Sequence, residues 1–143
     1  MLEVKGAIIT IDAMGCQKEI ALKIREKEAD YVLSLKGNHG NLHKNIKTFF
    51  ESKINNDEQL FNIYEENNKG HGRIEKRQYF ITDAIEWLPK KENWKDLKSI
   101  VMVKSTRETK KDVTEENRFY ITSLSPKPEL AAHAIRSHWA IEN

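Results

Sequence analysis

Two short runs of apolar, largely β-branched residues, Ala7-Ile8-Ile9-Thr10-Ile11 and Tyr31-Val32-Leu33-Ser34-Leu35, bracket a stretch of helical periodicity. Continuous apolar runs of this length read as strands buried on both faces. Between them, residues 17–28 put Ile20, Ala21 and Ile24 on one stripe and leave Lys18, Glu19, Lys23, Arg25 and Glu26 mostly outside it, as in an amphipathic helix. Strand, helix and strand within about 30 residues make a βαβ unit with parallel strands and a right-handed crossover.

The texture then changes. Leu42, Ile46, Phe49 and Phe50 share one face, which predicts a second helix over about 39–51. Residues 60–66 and 73–82 are rich in β-formers on either side of Asn67-Asn68-Lys69-Gly70-His71-Gly72, which predicts a hairpin. Ser99-Ile100-Val101-Met102-Val103 and Phe119-Tyr120-Ile121-Thr122 read as two further strands, with 104–118 as a charged loop between them. Residues 60–124 thus form an antiparallel, β-rich block after the α/β unit. From Pro126 the chain turns helical, with Pro128 in the first turn and Leu130, Ala134, Ile135 and Ile141 as the apolar stripe. A two-stranded parallel unit is small for a sheet, so the expectation is a fragment, or a degraded copy, of a longer protein.

The composition narrows the chemistry. Its 143 residues include one cysteine, Cys16, which excludes an intramolecular disulfide and any multi-cysteine metal cluster and fits a cytoplasmic protein. Lys and Arg total 24 against 22 Asp and Glu, spread evenly, so any nucleic-acid surface has to be assembled by folding. No apolar run approaches membrane-spanning length, and no membrane partner is expected. There is no Walker loop and no Gly-x-Gly-x-x-Gly. His39 and His43 lie four residues apart on a helix, without a His-Glu-x-x-His pattern or a third ligand, so zinc is not supported. Cys16 lacks a nucleophile elbow and reads as a core residue. Trp87, Trp94 and Trp139 read as packing residues.

Four places could carry chemistry. Asp12 closes the first strand, where ligands of open α/β sheets bind, and could hold a hard divalent cation or simply start the next helix. Glu142 shares a helix face with Ile135 and His138, so it is either paired or metal-bound, or exposed at a frayed end. Arg73, Glu75 and Arg77 share one strand face, either self-paired and solvated or a ridge that forks phosphate oxygens. Lys36 and Asn38 follow the second strand, at the sheet edge expected for Asp12.

Four ordered motifs carry a family resemblance: Ile11-Asp12-Ala13-Met14-Gly15-Cys16-Gln17, Ala29-Asp30-Tyr31-Val32-Leu33-Ser34-Leu35-Lys36-Gly37-Asn38, His71-Gly72-Arg73-Ile74-Glu75-Lys76-Arg77 and His138-Trp139-Ala140-Ile141-Glu142-Asn143. Together they resemble the DDE transposases of H-repeat-associated, ISAs-type insertion sequences. The resemblance implies an α/β fold with a partial ribonuclease H-like core, the βαβ unit plus the C-terminal helix, and an antiparallel β-rich insertion. The expected division is 1–59 for the first part of the core, 60–124 for the insertion and 125–143 for the helix bearing the glutamate. It further implies two aspartates and a glutamate holding two Mg2+ (or Mn2+) ions. Asp12 matches the second aspartate and Glu142 the glutamate. The family's first aspartate lies upstream of the matching segment, so this chain alone is expected to bind magnesium weakly and not to turn over.

The implied chemistry is hydrolysis of a DNA phosphodiester and strand transfer, with transposon ends and target DNA as partners and a homodimer in the transposition complex. Lys36, Asn38, His71, Arg73, Arg77, Arg136 and His138 are the candidate DNA contacts. The alternatives are a catalytically dead remnant acting as a DNA-binding or inert folded module, and an unrelated nuclease of the same fold.

Overall fold

The computed structural model describes residues 5–12 and 17–142. Cys16 lies outside the described residues, as do the side chains of Asn38, His138, Trp139, Ile141 and Glu142. In chain order the elements are β1 (Ile8–Ile11), α1 (Lys18–Glu26), β2 (Asp30–Leu35), α2 (Asn41–Lys53), β3 (Asn62–Gly70), β4 (Arg73–Thr82), β5 (Ser99–Thr109), β6 (Val113–Thr122) and α3 (Pro128–Glu142). The class is α/β. All six strands form one mixed sheet in the order β1-β2-β6-β5-β4-β3, with β1 and β2 parallel and every other pair antiparallel.

Strand alternation builds a core on each face. On one, Tyr31, Leu33, Phe80, Ile100, Met102, Phe119 and Ile121 pack with Ala21 and Ile24 of α1 and Ile46 and Phe50 of α2. On the other, Val32, Tyr79, Ile81, Val101, Val103 and Tyr120 pack with Ala131, Ala132, Ala134 and Ile135 of α3. The segment between β4 and β5 closes the first core with Ile85, Leu88 and Trp94, while Trp87 stacks on Phe49 at 4.5 Å. Arg25 ties this segment to the βαβ unit, donating to Asp96 at 3.0 Å and to Asp30 at 3.1 Å.

Three expectations need correction. The charged stretch 104–118 is not a loop: β5 and β6 stay paired from Ser99↔Thr122 to Glu108↔Val113. Their outer halves, like those of β3 and β4, are mostly solvated on both faces, so hydropathy alone gives no strand signal there. Second, β1 is an edge strand with every residue only half-buried, although its sequence reads as doubly covered. Third, Leu130 is exposed on α3, and the buried stripe runs through the small residues Ala131, Ala134 and then Ile135.

The outer halves of β3 to β6 form an arm. β2 ends at Leu35, opposite Phe119, whereas β6 begins six residues earlier, at Val113; at about 3.4 Å per residue the arm projects roughly 20 Å past β2. His71 and Gly72 turn the β3–β4 hairpin with φ of 53° and 75°, matching the two positive φ values of a type I′ turn. At the neighbouring tip the Thr109 hydroxyl accepts the Asp112 N–H at 3.2 Å.

Candidate functional site

Sheet direction decides what can meet. β1, β2, β3 and β5 run one way, so the carboxyl ends of β1 and β2 and both hairpin tips lie toward one edge. Asp12 follows β1 there and Lys36 follows β2; both are exposed. The parallel register pairs Ile11 with Leu33, so Asp12 is level with Ser34. Ile8 and Thr10 face α3, and alternation assigns Asp12 to that same face.

α3 runs in the same sense as β3. Near its start, Asn62 at the base of β3 donates to the Pro126 carbonyl at 2.6 Å. Further along, Arg136 is ion-paired with Glu66, four residues up the same strand. Between these points the Thr10 hydroxyl donates to the Ala134 carbonyl at 3.4 Å. Edge strands β1 and β3, about 24 Å apart in a flat sheet of this order, thus both reach α3, and the sheet curls around the helix. Glu142 is in the last turn of α3.

Glu66 is the anchor of that helix. Its side chain is 17% exposed, pairs with Arg136 and accepts the Tyr79 hydroxyl at 2.8 Å. Tyr79 is fully buried, and burial pushes its hydroxyl pKa up to about 12, with Arg77 pulling the other way. Arg136, a sequence candidate for DNA contact, is therefore held by a carboxylate.

The remaining candidates divide. His71 is at the β3–β4 tip. Glu75 holds three guanidiniums: Arg73 at 3.3 Å, Arg77 at 3.9 Å and Arg107, donating at 3.1 Å. Arg118 donates to Glu116 at 3.0 Å. Asn38 lies in the short 3-10 turn Gly37–His39, where the Lys36 N–H donates to Nδ1 of His39 at 3.1 Å. His138 lies on α3. Sequence reasoning missed Arg107 and Arg118. Counting by twos outward from buried Val103 and Tyr120 would have put them on the face of Arg73 and Arg77.

Asp12 is a hard oxygen ligand suited to Mg2+ or Mn2+. Among the described residues no group of three or more His, Cys, Asp or Glu side chains is placed to hold a metal ion, and the Glu142 carboxylate lies outside them. Among the described residues no helix is long and apolar enough to cross a membrane.

The family model described as the transposase DDE domain matches residues 1–143. The "H repeat-associated putative transposase YhhI" of Escherichia coli K12 is 41% identical over 149 aligned positions, covering 100% of this chain and 39% of that protein. The "Putative transposase YncI" of E. coli O157:H7 is 40% identical, covering 100% of this chain and 37% of that protein. An uncharacterized protein encoded in the dhlA 3′ region of Xanthobacter autotrophicus is 42% identical over 128 residues, covering 90% of this chain and 43% of that protein. The chain thus spans about two fifths of the length of these curated relatives. No solved structure matches it.

Proposed function

Because this chain belongs to the transposase DDE-domain family, we propose that it forms part of the catalytic domain that cuts and joins DNA in a transposition complex, with transposon ends and target DNA as substrates and a homodimer as the working assembly. In this reading the βαβ unit (1–59) and α3 (within 125–143) are the ribonuclease H-like core, and 60–124 is the β-rich insertion, continuous with the core sheet.

Asp12 and Glu142 are the carboxylates that would hold Mg2+ or Mn2+, together with an acid from the part of the relatives that this chain does not span. Two such ions supply charge stabilisation at both the attacking and the leaving oxygen of an in-line phosphodiester displacement. The chain's own residues do the rest. β1 fixes Asp12 at the sheet edge through its pairing with β2. The Glu66–Arg136 pair and the Thr10–Ala134 hydrogen bond hold α3 to β3 and β1. Lys36 supplies a cation at that sheet edge for a substrate phosphate.

The observation that carries this reading is the Thr10–Ala134 hydrogen bond, which ties α3 to β1 two residues before Asp12 and eight before Glu142 and supports a meeting of the two carboxylates despite their separation in sequence. It is tested by strand transfer with the full-length protein carrying Asp12→Asn or Glu142→Gln. Each should cost more than the roughly 10–100-fold typical of losing a mere supporting partner of a metal ligand. Unchanged activity in either variant removes that residue from the metal site.

A further inference from the structure

The arm sorts its cations by type. Alternation from the buried residues puts Arg73 and Arg77 of β4, Arg107 of β5 and Arg118 of β6 on the face that carries Tyr79, Val103 and Tyr120, the α3 side. The lysines of the same strands, Lys69, Lys76 and Lys104, fall on the opposite face, where Lys76 pairs with Glu65 and Lys104 with Glu115. Acids are balanced between the faces, with Glu66, Glu75 and Glu116 on the first and Glu65, Glu108 and Glu115 on the second. Overall charge therefore does not separate the two faces; the chemistry of the cation does. A guanidinium forks two phosphate oxygens in a fixed plane, which an ammonium cannot do.

The arginine face is also shaped and placed. Glu75, Arg77, Arg107, Glu116 and Arg118 line an open basin of about 570 Å3. Its inner end adjoins the Asp12 edge, because the register pairing Leu35 with Phe119 brings Lys36 level with Arg118. Beyond its outer end lie the two tips, which carry His71, Lys110 and Lys111. The roughly 20 Å by which the arm projects is about six base pairs of B-DNA at 3.4 Å each. Within the basin Glu75 and Glu116 hold the guanidiniums in place, occupying positions that phosphate oxygens would take.

We infer that the α3-side face of the arm is the docking surface for the sugar-phosphate backbone of duplex DNA leading from the Asp12 edge, and that Arg107 and Arg118 join Arg73 and Arg77 as its phosphate contacts. The inference rests on the transposase reading above and names the surface by which the DNA is held.

The test is equilibrium binding of the full-length protein to a duplex oligonucleotide over a range of salt. Each lost phosphate contact lowers the slope of log K against log salt by about 0.9, so Arg107→Ala with Arg118→Ala should lower it by about 1.8 and weaken binding. Lys104→Ala, on the opposite face and outside the basin, should leave the slope unchanged. Glu75→Gln should tighten binding more than Glu65→Gln on the opposite face, because it removes the anion competing for the guanidiniums and not only a negative charge. A slope change from Lys104→Ala as large as that per arginine, or a gain from Glu75→Gln no greater than that from Glu65→Gln, overturns the inference while leaving the transposase reading intact. Wild-type protein that ignores duplex DNA overturns both.

Discussion

Replacing Glu66 with alanine should destabilise the protein by about 1–4 kcal/mol. Two effects add. The Tyr79 hydroxyl, in a fully buried side chain, loses its acceptor at 2.8 Å, and a buried polar group left unpaired costs about 1–3 kcal/mol. The Arg136 pair also goes, but that guanidinium is 47% exposed, so its share is no more than about 1 kcal/mol. Urea unfolding would show a lower midpoint with an unchanged m-value. The two effects separate in a double-mutant cycle. Adding Tyr79→Phe to the Glu66→Ala variant removes the orphaned hydroxyl and should restore part of the loss, whereas Tyr79→Phe in the parent protein should destabilise it. If Tyr79→Phe costs the same in both backgrounds, the Glu66–Tyr79 hydrogen bond carries no stability and the account of how α3 is anchored is wrong.

Two further outcomes follow from the core. Ile135→Ala, at a fully buried position on α3, should cost about 2–5 kcal/mol, while Leu130→Ala on the exposed side of that helix should cost under about 1 kcal/mol; comparable losses would refute the assignment of α3's buried face. Burial, then the charges of Lys47 and His39, push the His43 pKa below its ordinary 6.5. The group's contribution is therefore fully present above pH 6.5 and is lost as pH falls through the lower folded value, so His43→Gln should flatten the acid limb of a stability–pH curve measured by urea unfolding.

The βαβ unit could be read from sequence because its two apolar runs and the stripe of Ile20, Ala21 and Ile24 express burial directly. The outer halves of β5 and β6 could not, since a ribbon wet on both sides leaves no hydropathy period. Lys104 to Glu108 and Val113 to Arg118 are strand because their neighbours hold them in register. β1 departs in the other direction: Ile8, Ile9 and Ile11 suggest two covered faces, and within this chain they are half-buried, with β2 paired along them. The site followed the same division. The positions of Asp12 and Lys36 after β1 and β2 could be read because each follows an apolar strand-forming run, whereas Arg107 and Arg118 fall on the face of Arg73 and Arg77 only once the register is known.

The unbroken ladder between β5 and β6 has a mechanical corollary. With ten successive pairs from Ser99↔Thr122 to Glu108↔Val113, the projection is a cantilever whose root is the hydrophobic interior itself, with no hinge between them. A force applied at the Lys110-Lys111 tip is transmitted as torque to Val101, Val103 and Tyr120, and thence to the helix packed on them. Whatever grips the free end is therefore joined by continuous strand to the seat of α3, roughly 20 Å away.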